Sequence, residues 1–299
     1  MANLYTHQDE NVRRSWLLMT GMFVLLIGLG FIFARVYGNP TILYIFALVS
    51  IVGNITSYWY SDKIALAVSG AQPMAREHGL RVYRIIENLC ITAGLPTPRL
   101  FILPGMQINA FATGRNAEHA AVAVTQGALD KLNDNELSGV LAHELSHIGN
   151  RDMLVSTLVV VFAGMIAILS DWFLRFSMFG GGRNRDEREG GGITIVFAIV
   201  AAILAPLAAT IIQLAVSRKR EYLADASGAL LTRYPEGLAS ALEKISNDES
   251  SLPRASSATA HLYISNPLRG REKTSWFAKL FMTHPPLQDR IRILRSMGI

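Results

Sequence analysis

Four stretches of this chain run for about 20 residues with almost no charge, the length a helix needs to cross a hydrocarbon core at about 1.5 Å per residue. They are Ser15–Ala34, Thr41–Tyr60, Met153–Leu174, interrupted only by Asp171, and Ile193–Val216. Inside lipid each backbone amide must find its partner within its own segment, so runs of this kind are confined to helices. The competing assignment, four buried helices of a large soluble core, fits poorly because uncharged soluble helices seldom run so long. The 51% apolar content and the positive mean hydropathy point the same way. The first run exceeds the apolar region of a signal peptide and no A-x-A-like site follows it, so it reads as a retained anchor.

Lysine and arginine near the ends of the runs set orientation. Arg13 and Arg14 precede the first run and Lys63 follows the second; Arg151 precedes the third, and Arg218, Lys219 and Arg220 follow the fourth. The short connection between the first two carries only Arg35. Both termini and the middle region are therefore expected on the cytoplasmic side. The connection between the third and fourth runs opposes this with four arginines, accompanied by Asp186, Glu187 and Glu189. A net charge of +5, spread without a dense basic run or interleaved aromatics, suits a lipid bilayer surface and excludes a nucleic-acid partner. Cys90 stands alone, which excludes an internal disulfide and a cysteine zinc cluster.

The expected fold is mainly α: a polytopic membrane protein with four transmembrane helices and a cytoplasmic α+β domain containing a small β-sheet. Residues 1–60 form an N-terminal transmembrane hairpin and 61–152 the first half of the cytoplasmic domain; 153–216 form a second hairpin and 217–299 the second half. Within the domain, Gln72–Ala93 reads as one amphipathic helix and Arg99–Leu103 as a strand. Asn109–Gly114 reads as a second strand or edge segment, and Ala120–Thr125 as a third. Asp134 is read as the N-cap of the next helix. Helices are expected at Ser217–Leu231, Pro235–Ile245, Trp276–Met282 and Pro286–Met297.

That next helix carries Val140-Leu-Ala-His-Glu-Leu-Ser-His-Ile148, an H-E-x-x-H run. Positions i and i+4 lie one turn apart on one face, so His143 and His147 can aim at a single point. Glu144 sits about 100° round from His143, within reach of water activated there. A hydrolytic metal site needs a third protein ligand and an open fourth position. Glu221 is the candidate, because it lies a few residues past the fourth run as His147 lies a few before the third. An antiparallel hairpin makes those ends neighbours. Asp225, one turn further on, is placed to accept the other ring N–H of a liganding histidine. His7, His78, His119 and His261 have no spacing partner and read as surface residues.

Four motifs then carry a resemblance across nearly the whole chain: Asn109-Ala-Phe-Ala-Thr-Gly114, Ala142-His-Glu-Leu-Ser-His147, Ser217-Arg-x-x-Glu-x-x-Ala-Asp225 and Phe281-Met-Thr-His-Pro-Pro286. The chain resembles the HtpX family of membrane-bound zinc metalloproteases, relatives of the CAAX-prenyl endopeptidases. The resemblance implies a zincin-like metalloprotease fold for the cytoplasmic domain and one zinc ion per chain on His143, His147 and Glu221, with Glu144 as catalytic base. It also implies a multi-pass protein of the bacterial inner membrane, its active site facing the cytoplasm, which cleaves membrane proteins in quality control under stress. His284 either donates to the developing oxyanion or packs structurally at a helix start. Asn109, Ala110, Phe111 and Ala112 form either an edge on which an extended substrate pairs or an ordinary interior strand. An intramembrane protease is disfavoured, because polar Asp134, Asn135, Glu136 and Ser138 precede the histidines. A non-catalytic zinc scaffold is disfavoured by the intact base.

Overall fold

In a computed structural model of the chain, the described residues are 4–179, 218–256, 259–268 and 285–298, with scattered helical positions between 196 and 211. Helices α1 (Leu4–Val36) and α2 (Thr41–Ser69) form the first hairpin. Strand β1 (Gln72–Pro73) follows, then α3 (Leu80–Ala93), β2 (Arg99–Leu103), β3 (Ala110–Thr113) and β4 (Ala121–Thr125). The short α4 (Gln126–Lys131) leads to α5 (Asp134–Gly149) and then α6 (Met153–Phe179). Helices α7 (Arg218–Thr232), α8 (Pro235–Asn247) and α9 (Leu287–Arg295) follow, with short 3-10 turns at Ala117–His119 and Ala260–Leu262. Among the described residues the architecture is mainly helical with one small sheet.

Three described helices are long and apolar enough to cross a membrane: Asp9–Val36, Thr41–Ser69 and Met153–Arg175. The fourth expected span, Ile193–Val216, lies outside the described residues apart from those scattered positions, as does the expected helix Trp276–Met282. Helix α2 has an inverted face: Ser50, Ser57, Ser61 and Asp62 are buried while Leu48, Ile55 and Trp59 are exposed. Small polar side chains let helices approach closely, and apolar ones turned outward suit lipid rather than water. Helices α1 and α6 meet through Met22, Leu26, Leu29, Phe33, Leu158 and Phe162.

The sheet runs in the order β1-β2-β4-β3, with β2 and β4 parallel and the outer pairs antiparallel. Alternation splits it into two faces. Leu100, Ala110, Ala112, Val122 and Val124 pack into the core shared by α3, α5, α8 and α9. Leu103, Phe111, Ala121 and Ala123 turn the other way, toward Leu66 of α2 and Val160 of α6. The Thr113 and Thr157 hydroxyls meet at 3.0 Å, so the sheet rests directly on the start of α6.

Helix α5 is the hub. Leu137, Val140, Leu141, Leu145 and Ile148 are buried, each stabilising by about 1.5–3 kcal/mol relative to exposure. Its cap is Asn133 rather than Asp134: Asn133 accepts from the Glu136 N–H while Glu136 reaches back to the Asn133 N–H. This capping box shifts the expected start by one residue. The helix expected at Gln72–Ala93 is also shorter, because Pro73 joins an edge strand and a turn before Gly79 delays the helix to Leu80.

Candidate metal centre

Two glycine contacts bring α7 and α8 onto α5. A Cβ on Gly228 of α7 would lie 3.0 Å from the His143 nitrogen, and one on Gly139 would meet the Leu238 nitrogen of α8 at 2.5 Å. Close approach of these backbones carries the first turn of α7 to the histidine face. The ring nitrogens Nε2 of His143 and His147 lie 3.1 Å apart. Glu221 Oε2 is 3.8 Å from His143 Nε2, and Oε1 is 3.8 Å from His147 Nε2. The three ligand atoms all fall within 4.8 Å of one another.

The opposite ring nitrogens are engaged by carboxylates. His143 Nδ1 lies 2.9 Å from Asp225 Oδ1, and His147 Nδ1 lies 3.0 Å from Asp152 Oδ2. Such contacts fix the tautomer that leaves Nε2 free to ligate. Asp225 is in turn clamped by Arg290, whose Nε and Nη2 donate to it at 2.8 and 2.7 Å. Arg290 is fully buried, donates to the Ile264 carbonyl at 3.0 Å and reaches to 3.7 Å of Glu221. Asp152 and Arg290 were not among the residues singled out from sequence. Asp152 follows His147 by five positions, a signal readable only if the helix is known to stop between them. Arg290 lies in an amphipathic C-terminal helix, where an arginine ordinarily faces water.

Charge at the site favours a cation. Glu144, Asp152, Glu221 and Asp225 surround the imidazole pair, against the guanidinium groups of Arg220 and Arg290. Burial opposes a charged His147, yet Asp152, Glu221 and Glu144 push it up to about 10. His143 is lowered by burial despite Asp225. Burial, reinforced by Glu221, pushes Glu144 up to about 7 against the pull of His147. Burial would raise Asp225, but Arg290 and His143 hold it at about 2. Two nitrogens at about 2.0–2.1 Å from one tetrahedral ion lie about 3.3 Å apart, close to the 3.1 Å seen between the imidazoles. Two imidazoles and a carboxylate thus fit one divalent ion with a position left open.

Strand β3 lies at the sheet edge beside this point. Asn109 bonds toward β4 through the Thr125 N–H at 3.0 Å, so by alternation Ala110 and Ala112 turn their backbones away from β4. The Ala112 N–H faces the Glu144 carboxyl and favours its charged form. The Ala110 carbonyl accepts from Ile264 N–H at 3.0 Å, and its N–H donates to the Asn109 side chain at 3.1 Å. Phe111 faces the opposite side, ring to ring with Tyr263. His284 lies outside the described residues, as does the side chain of His7. His78 and His119 are exposed, whereas His261 is buried against the Ser156 carbonyl at 3.1 Å, contrary to its surface assignment.

Residues 77–298 match Peptidase family M48. A protease HtpX homolog of Syntrophobacter fumaroxidans is 46% identical over 287 residues, covering 95% of this chain and 98% of that protein. One of Thermoanaerobacter pseudethanolicus is 44% identical over 298 residues, covering 98% of each. A third, from Thermococcus kodakarensis, is 46% identical, covering 95% of each. Among solved structures, the crystal structure of S. mikatae Ste24p aligns with a TM-score of 0.49 at 19% identity, over 97% of this chain and 67% of that one.

Proposed function

The chain belongs to peptidase family M48, among the HtpX proteases, and is a membrane metalloprotease; from that premise we propose that it is a zinc-dependent endopeptidase acting on misfolded or damaged membrane proteins at the cytoplasmic face of a bacterial inner membrane. The observation that carries this reading is the convergence of His143, His147 and Glu221 within 4.8 Å, beside Glu144. In this reading those three side chains hold one zinc ion. When bound, it supplies Lewis acidity toward water and the scissile carbonyl. Glu144 takes the proton from the attacking water and returns it to the leaving nitrogen. Burial and Glu221 raise its affinity for that proton. Asp225 and Asp152 hold the two imidazoles, and Arg290 holds Asp225.

Substrate binds in extended form against the Ala112 end of the edge segment Asn109–Ala112, pairing with the Ala112 carbonyl next to Glu144. Backbone pairing reads little side-chain identity, which supports tolerance for varied unfolded segments. His284, carried in Thr283-His-Pro-Pro286, supplies a further donor to the oxyanion. This reading carries four spans, with the two halves of the protease domain, 61–152 and 217–299, on one membrane face. The position of α5 immediately before apolar α6 supports a catalytic mouth at the bilayer surface.

The test is Glu144→Gln in the detergent-solubilised full chain with an unfolded membrane-protein substrate. The expected result is one equivalent of zinc retained and cleavage lowered by at least about a hundredfold. Undiminished cleavage in that variant would overturn the assignment.

A further inference from the structure

Helix α5 stops in an unusual way, and the stop builds part of the site. Asn150 is its C-cap, and Arg151 follows with φ 55, a left-handed conformation that ordinarily calls for glycine. The Arg151 N–H returns to the Ile148 carbonyl at 3.2 Å and the Asp152 N–H to the His147 carbonyl at 3.3 Å. In this type of helix stop the second residue past the cap folds back over the third residue before it, commonly as an apolar contact. Here the pair is Asp152 and His147, and the contact is carboxylate to imidazole at 3.0 Å. The reversal through Arg151 is what aims Asp152 at the ring.

That conformation is costly for a residue with a β-carbon, and support from the surrounding structure offsets the cost. The support comes from another helix, 139 residues away in sequence. Asn11 of α1 donates from Nδ2 to the Asn150 carbonyl at 3.1 Å, and both residues are buried. That carbonyl belongs to the peptide leading into Arg151, so Asn11 fixes the plane from which the reversal starts. Its own backbone carbonyl accepts from the Ser15 hydroxyl at 3.0 Å, holding the donor on a rigid turn.

We propose that Asn11 is a positioning residue of the metal centre: through the Asn150 carbonyl it holds the left-handed turn that directs Asp152 onto His147. The inference rests on the reading of His147 as a metal ligand. It makes the first transmembrane helix part of the catalytic apparatus rather than an anchor alone.

The experiment is a double-mutant cycle on the detergent-solubilised full chain, read as zinc affinity by competition with a chromogenic chelator. Asn11→Leu, close in size and without a donor, is expected to weaken zinc binding about tenfold, the lower end for losing an outer-shell partner. In a chain already carrying Asp152→Ala, Asn11→Leu is expected to change affinity little further, because the group it positions is gone. Should Asn11→Leu not fold, Asn11→Asp keeps the shape, lacks the donor and carries the same expectations. Wild-type affinity in the single variant, or an equal loss with and without Asp152, overturns the proposal. A wild-type chain that binds no zinc overturns the ligand reading itself, a result distinct from either.

Discussion

Glu136 is the residue whose ionisation most directly holds α5 in place. Burial opposes its charge, but Lys244, the Asn133 N–H and the Ser240 hydroxyl keep its carboxyl below the usual range. A carboxylate depressed on folding contributes stability above its unfolded pKa and loses it as pH falls below. Glu136→Gln should therefore lower stability by about 1 kcal/mol near neutrality, and the gap to wild type should close in acid. Thermal unfolding of both chains between about pH 7 and about pH 3 checks this; a gap independent of pH would contradict it. The residues of the site differ in how openly the sequence declares them. His143, Glu144 and His147 are readable from helical spacing alone, and Glu221 and Asp225 from the expectation that the third and fourth apolar runs form a hairpin. Asp152 stays hidden because its partner is reached through a left-handed arginine where a glycine would have announced the turn. Arg290 stays hidden because only tertiary packing reveals that its helix turns an arginine inward onto Asp225.

At the scale of elements, the site depends on how closely α7 lies against α5. Gly228 faces the His143 backbone with no room for a side chain beyond a tight methyl. Gly228→Val should force the helices apart, cost about 1–3 kcal/mol in packing strain and withdraw Glu221 from the imidazoles. The expected outcome is weaker zinc retention against chelator with near-wild-type helical content by circular dichroism. Unchanged retention would mean the two helices are not in that contact. The strands were legible from short apolar runs ended by Pro104-Gly105 and Gly114, and their period-2 alternation matches the two faces of the sheet. What periodicity could not reveal was that Gln72–Pro73 leaves its apparent helix to pair with β2, since strand pairing depends on a distant partner. Nor could it reveal that Ile264 covers the Ala110 end of β3, which leaves Ala112 as the edge residue at Glu144.

At the scale of the whole molecule, the apolar helices and the candidate site are one construction: the sheet rests on α2 and α6, and α1 bonds to the end of α5. The outward apolar face of α2 expects lipid. Leu48→Arg, on that exposed face, should impair membrane integration by about 2.5–3.5 kcal/mol, whereas Leu48→Ala should not; carbonate extraction of membranes separates the two. Integration of the arginine variant at wild-type level would place that face elsewhere than in lipid. The central claim is that side chains from two separate helices share one metal ion. Its most direct test is the zinc content of purified wild-type, Glu144→Gln and Glu221→Ala chains after dialysis against a moderate chelator. One equivalent is expected in the first two, and little or none in Glu221→Ala. A full equivalent retained without the Glu221 carboxylate, at wild-type affinity, would contradict the account.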